Sequence, residues 1–392
     1  MLYFDHCASA PPREEVIRTM AEVMAKHYAN PSSLHRGGVE ARKLLERARQ
    51  LIAGLFQTDA AEWFFTTGGT EGNNAAIIGA AHQYRSRGNH LITTEVEHSS
   101  VYETFTRLEL EGFRVTRLPV GRNGHVDPAA VSDALTDDTI LVSMMHVNNE
   151  MGAVQPVAEV GRLLSERHTT LFHVDGVQSV GKLPIKLREW GIDLFTASAH
   201  KIGGPRGVGL LYKRSGIELQ ALLTGGGQEE GLRPGTENTA AIVAAAKAFR
   251  LAVEGQDARC HKMYKLREKL LQFIAKMPEL QLNGAVYSEA EAAGQNAVMA
   301  PHIVNISYPG MKPEIIIHTL EELQVLVSTK SACSSKEDKP SRVLTAMGLG
   351  GERAATGIRI SFGDEHDERS IESLCQALQT AVRKLKPLER KG

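Results

Sequence analysis

Short apolar runs that stop at polar groups alternate with helix-period segments over most of the chain. Residues 1–13 alternate as an extended arm until Ala10, Pro11 and Pro12 end any strand, and an amphipathic stretch follows at 14–26. The turn-rich YANPSSLHRGG, residues 28–38, precedes a helix-like segment through Ile52. From Glu62 the order is EWFFTT, GGTEGNN and AAIIGAAHQYR, which reads as strand, glycine-rich turn and helix. HLITTEVEHSS reads as a strand running into His98, and strand patterns recur at 114–118 and 139–145 with helical stretches between. A helix over 156–167 leads to two further runs, LFHVD ending in Asp175 and DLFTAS ending in Ser198, and RGVGLLY at 206–212 adds a strand. This repetition predicts an α/β fold with a large, mainly parallel sheet and helices on both faces.

Past residue 224 the pattern changes. GGGQEEGLRPGTEN, residues 225–238, is a long glycine-rich loop carrying Arg233 and Thr236, either functional or a subunit contact. A helical run at 240–254 passes a charged break at 256–259 into a second run ending near Met277. Strands at 280–282, 302–307, 324–328 and 357–363, with helices at 313–323 and 366–386, predict a smaller α+β unit. The expected division is an N-terminal arm at 1–13 joining the small domain, a large domain at 14–257 and a small C-terminal domain at 258–392.

Composition narrows the function. A chain of 392 residues can bury a large core, and 45 Lys plus Arg against 46 Asp plus Glu give no field favouring nucleic acid or an anionic membrane. No basic start leads into a long apolar stretch and no apolar run has the length of a membrane span, so the expected location is the cytoplasm. Cys7, Cys260, Cys333 and Cys375 are far apart with no Cys-x-x-Cys pair, which argues against a metal site or a disulfide framework and for reduced thiols.

The candidate chemistry lies at the predicted strand ends. In an α/β sheet ligands collect beyond the carboxyl ends of the strands, so Asp175 and Gln178 after one run and Ser198, His200 and Lys201 after the next converge on one small molecule. An acid and a lysine together suit an aldehyde cofactor with a ring nitrogen. Pyridoxal phosphate is such a molecule: the amine condenses with its aldehyde and the aspartate keeps its nitrogen protonated. The alternative is that Asp175 caps a turn and Lys201 is a solvated surface residue. The glycine turn at 68–72 would offer backbone N–H groups and the Thr70 hydroxyl to a phosphate, unless it is an ordinary turn with Thr70 as cap. His98 is either a hydrogen-bonded structural group or a catalyst. Cys333 lies among serines and lysines, reads as exposed, and has Lys330 and Lys336 nearby to favour its thiolate. Cys7, Cys260 and Cys375 read as structural, Cys375 sharing an apolar helix face with Ile371, Leu374 and Leu378.

NPSSLH, TTGGTEGNN, EHSS, HVNNE, VDGVQSVGK, SAHKIGGPRGVG, RPGTEN, SACSS and GIRISFG stand in one order, from about Tyr3 to about Leu385. In that order the chain resembles the cysteine desulfurases of the NifS and IscS type, in the class V aminotransferase group of pyridoxal phosphate enzymes. The resemblance implies a fold-type-I, aspartate aminotransferase-like architecture. It makes Lys201 the Schiff-base lysine, Asp175 the partner of the ring nitrogen, Gln178 a contact of the ring hydroxyl and His98 the residue stacked on the ring and a second candidate base. Gly69, Thr70, Ser198 and His200 would bind the phosphate. Thr236 would reach the partner subunit's phosphate, implying a homodimer. Asn149 would hold ring or substrate, Arg359 would grip the substrate carboxylate, and Cys333 would be the nucleophile that takes sulfur from L-cysteine, leaves L-alanine and hands the persulfide to an acceptor protein.

The chain also departs from that pattern. Gly69 and Gly72 stand where the family usually has small residues with a side chain, Gly176 stands in place of alanine, and Thr329 and Lys330 precede the nucleophile in place of Ser-Gly. The family's IscS-type members carry a C-terminal extension that docks an iron–sulfur scaffold, whereas this chain stops in KLKPLERKG, which leaves room for another acceptor such as a tRNA-thiolation enzyme. The alternatives are a class V aminotransferase with Cys333 incidental and a non-catalytic sulfur adaptor, the latter disfavoured because Lys201 and Asp175 are both present.

Overall fold

The computed structural model describes residues 1–285, 298–329 and 340–388. The arm contributes β1 (Leu2–Tyr3), and α1 (Glu14–Lys26) and α2 (Arg36–Phe56) follow. Then come β2 (Trp63–Thr66), α3 (Gly69–Gln83), β3 (His90–Thr94), α4 (Ser99–Leu110), β4 (Arg114–Leu118), α5 (Pro128–Ala134), β5 (Thr139–Met145) and α6 (Val157–Leu164). β6 (Leu171–Asp175), β7 (Leu194–Ser198), β8 (Gly209–Lys213) and α7 (Thr239–Glu254) complete the first part.

These strands form a seven-stranded sheet in the order β2-β8-β7-β6-β5-β3-β4. All neighbours are parallel except β8, which runs antiparallel to both β2 and β7. Successive side chains of a strand point to opposite faces. Phe64, Leu91, Leu141, Leu171, Leu194 and Leu211 accordingly pack under α3 and α4, while their neighbours Phe65, Ile92, Val142, Phe172, Phe195 and Leu210 pack under α2, α6 and α7. The predicted α/β sheet with helices on both faces is what forms.

The remainder builds a smaller layer from α8 (Gln256–Ile274), β9 (Gln281–Asn283), β10 (Ile303–Ser307), α9 (Pro313–Glu322), β11 (Val325–Leu326), α10 (Arg342–Ala346), α11 (Gly351–Ala355), β12 (Gly357–Ser361) and α12 (Glu368–Leu385). Its sheet is antiparallel, β12-β10-β9, and β1 pairs parallel with β11 through Leu2↔Val325. Phe4 sits fully buried in the apolar cluster of this layer with Ile360, Phe362 and Leu374. No helix among the described residues is long and apolar enough to cross a membrane.

Several boundaries differ from the sequence expectation. The helical break falls at Gly255, which ends α7 and opens α8, so the charged residues 256–259 are the first turn of a helix. Glycine costs a helix interior about 1 kcal/mol relative to alanine, whereas solvated charges cost it little. The strand read into His98 stops at Thr94, because His98 caps α4 by accepting a hydrogen bond from Ser100 N. The short α10 and α11 have no long apolar stripe to announce them.

Candidate active site

The carboxyl ends of the parallel strands β3, β5, β6 and β7 open on one edge of the sheet. There a cavity of about 180 Å3 is lined by Asp175 from the end of β6 and by Ser198, His200 and Lys201 from the end of β7 and the turn after it. Gly69 and Thr70 line it from the start of α3, His98 from the start of α4, Asn149 and Gln178 from loops, and Arg359 from β12.

Asp175 is almost fully buried, and its carboxylate is held on both oxygens. Oδ1 accepts the N–H of Val177 at 2.9 Å and Oδ2 accepts Asn73 Nδ2 at 2.8 Å. The second hydrogen of Asn73 Nδ2 goes to Ser100 Oγ at 2.9 Å, and Ser100 Oγ lies 2.8 Å from His98 Nδ1. Because Ser100 N–H also points at Nδ1 (3.1 Å), that nitrogen is an acceptor and the neutral ring carries its proton on Nε2. Burial pushes the His98 pKa down, Asp175 opposing and Lys201 adding to it. Burial pushes His200 down as well, to about 4, with Lys201 and Arg206 contributing.

Lys201 Nζ donates to the carbonyls of Cys7 and of Ala8, the latter at 3.0 Å. The N-terminal arm therefore forms one wall of the cavity. Gln178 Nε2 donates to the same Cys7 carbonyl at 3.1 Å. Arg359 is 1 % exposed, and its Nη1 donates to Asn149 O at 2.9 Å while Nη2 pairs with Asp5 Oδ1 at 2.8 Å. Its Nε is buried without a hydrogen-bond partner among the described residues.

The donor set also suits a phosphate. Ser198 Oγ is buried with no hydrogen-bond partner among the described residues and faces the first turn of α3, a 15-residue helix whose leading N–H groups have no intrahelical acceptor. The glycines of this region are required by packing. A Cβ on Gly69 would lie 2.7 Å from Val177 Cγ2, one on Gly72 would lie 2.7 Å from Thr196 Cγ2, and one on Gly176 would lie 2.1 Å from the Phe195 ring. Each brings backbone closer to the sheet than alanine permits.

The cavity thus unites Lys201, His98, Gly69, Thr70, Asn149, Asp175, Gln178, Ser198, His200 and Arg359. Thr236 is not among its lining; it is exposed on the 225–238 loop. Cys333, with Lys330 and Lys336, lies outside the described residues. The sequence reading missed Asn73, Ser100 and the Cys7 and Ala8 carbonyls. Asn73 had a signal, standing one helical turn after Gly69 on the side that meets the sheet. Backbone carbonyls carry none.

The model of the aminotransferase class-V family matches residues 2–374. A NifS/IcsS protein homolog of Lactobacillus delbrueckii subsp. bulgaricus is 42% identical over 367 residues, 93% of each chain. The cysteine desulfurase IscS of Clostridium botulinum is 38% identical over 391 residues, 99% of this chain and 96% of its own. The solved structure of a NifS-like protein superposes with a TM-score of 0.89 at 33% identity, covering 98% of this chain and 99% of that one.

Proposed function

The chain belongs to the class V aminotransferase family and is a cysteine desulfurase of the NifS/IscS type, and we propose that it moves sulfur from L-cysteine to Cys333 over the cavity that Lys201 and Asp175 share. The observation carrying this reading is the pairing of those two side chains at adjacent strand ends, with a buried, unpartnered Ser198 Oγ beside the start of α3. Pyridoxal phosphate, the cofactor of this family, supplies when bound the electron sink that loosens the substrate's α-proton and its carbon–sulfur bond.

The chain's own groups divide the remaining work. The Asp175 carboxylate, fixed by Asn73 and Val177 N–H, would face the ring nitrogen, and His98 would flank the ring. Ser198 Oγ, His200, the Thr70 hydroxyl and the N–H groups that open α3 would hold the phosphate. Gln178 and Asn149 would orient ring and substrate. Lys201 Nζ would take the α-proton, and the Cys7 and Ala8 carbonyls, to which it already donates, would receive the resulting ammonium. Arg359 would hold the substrate carboxylate through N–H groups left after its bonds to Asn149 and Asp5.

The thiolate of Cys333 attacks the substrate sulfur; the Cβ–S bond breaks, L-alanine leaves, and the sulfur stays as a persulfide for an acceptor protein, an iron–sulfur scaffold or a tRNA-thiolation enzyme. Thr236, exposed on its loop, would serve the neighbouring subunit of a homodimer. Unpaired Cys7, Cys260 and Cys375 suit a reducing compartment such as the cytoplasm.

The test is to give purified, cofactor-loaded protein L-cysteine and follow alanine and protein-bound persulfide. Cys333→Ala should abolish both in the absence of added thiol; full turnover by that variant would instead favour a plain aminotransferase.

A further inference from the structure

Arg342 opens α10, in the C-terminal layer, and its contacts fall on both sides of His98. Nη1 donates to the carbonyl of Glu95 and Nη2 to the carbonyl of Glu97, a fork closing on the turn that leads into His98. The same guanidinium lies 3.9 Å from the ring centroid of Tyr102, in the first turn of the helix that His98 caps. Val343 and Leu344 beside it pack in one apolar cluster with Val96. Ser341, the N-cap of α10, fastens the same corner to the other loop of the site by donating to Glu150 Oε2 at 2.6 Å.

The turn at 95–97 is also held by neighbouring strands and loops. Glu95 N–H reaches Leu118 O, Val96 O accepts Asn148 Nδ2, and Glu97 Oε1 accepts Thr94 Oγ1 and Met145 N–H. The carbonyls of Glu95 and Glu97 receive the guanidinium, and a planar fork can satisfy two acceptors in a way that a single ammonium cannot. The cation also sits against the aromatic face of Tyr102, an attraction worth about 0.5–2 kcal/mol.

We propose that Arg342 is a positioning residue for His98, clamping the turn before it and the helix after it so that the imidazole keeps its place in the cavity wall. This rests on the role given to His98 above and goes beyond it by naming the side chain, from the other layer of the molecule, that sets the ring's location. Arg342 is not among the residues lining the cavity, so its effect would run through His98.

The experiment uses holoenzyme of the parent, Arg342→Met, Arg342→Lys, His98→Ala and the double variant Arg342→Met/His98→Ala. Loss of the clamp should lower kcat about 10-fold, the value of one or two charge-assisted hydrogen bonds, with KM for L-cysteine little changed. The visible circular dichroism of the bound cofactor should change in Arg342→Met and be partly restored in Arg342→Lys. In the His98→Ala background Arg342→Met should cost almost nothing, because the clamp would have no ring to position. An undiminished cost in that background, or an unchanged cofactor spectrum in Arg342→Met, overturns the inference while leaving the role of His98 standing. A His98→Ala enzyme with parental kcat and spectrum overturns both. A Tm loss in Arg342→Met that Arg342→Lys does not share, without any spectral change, assigns the residue to stability alone and likewise overturns it.

Discussion

Asn73 and Asp175, 102 residues apart in sequence, are joined by a 2.8 Å hydrogen bond from the amide Nδ2 to the carboxylate Oδ2. The other hydrogen of that Nδ2 holds Ser100, and Ser100 holds His98. One amide thus ties the acid at the end of β6 to the imidazole at the start of α4. Asn73→Ala should weaken cofactor affinity and slow turnover by about 10-fold each, the worth of a hydrogen bond to a charged group. Absorbance titration with pyridoxal phosphate and steady-state alanine formation measure the two. Parental values for both would mean that Asp175 needs no support from α3.

Ser198→Ala should move two measurements in opposite directions. The hydroxyl is buried without a partner, so its removal relieves a desolvation cost of about 1–3 kcal/mol and should raise the melting temperature of the cofactor-free protein. The same change should weaken pyridoxal phosphate binding several-fold. Calorimetry of the free protein and equilibrium dialysis of the cofactor separate the effects, and a variant with unchanged affinity would remove Ser198 from the phosphate site.

Glu97 gives stability a pH dependence of known sign. Burial pushes its carboxyl up to about 8, against the hydrogen bonds from Thr94 and Met145 N–H. Between about 4.5 and 8 the unfolded chain has released this proton and the folded one has kept it, so ionisation favours unfolding and stability falls as pH rises through that window. Glu97→Gln removes the titration. Its urea midpoint should gain on the parent's steadily from pH 5 to about 8, and parallel midpoints over that range would contradict the assignment.

Gly176→Ala should be destabilising by about 1–3 kcal/mol, because the new methyl would overlap the buried Phe195 ring. Phe195→Leu should be costly in the parent and much less so in the Gly176→Ala protein, which has gained the volume the ring vacates. A double-mutant cycle from denaturant unfolding checks this. Simple additivity would show that the turn after Asp175 relaxes away from the sheet.

Much of this was legible in the sequence. The strand at 139–145 and the termini at Asp175 and Ser198 could be read because buried strands end where apolar runs meet polar groups. The gathering of Lys201, His98 and Arg359 followed from motif order. Local pattern could not reach the partners that come from elsewhere. Cys7 reads as a structural cysteine, and its residue is buried, yet its carbonyl is part of the Lys201 site. The reason for Gly176 lies in the Phe195 ring, which occupies the space a methyl would take and is far from it in sequence. Arg342 lies in a five-residue helix, and its interest is visible only in the two carbonyls it meets.

The arm that walls Lys201 is seated on strands made very late: Leu2 pairs with Val325, and the N–H of Cys7 donates to Ser361 Oγ. The arm therefore has no groove to occupy until residues 325 to 361 have been synthesised. The sheet can form while translation continues, but its lysine lacks that wall until the end. Before those late residues exist, the Lys201 amine lacks the two arm carbonyls that hold it.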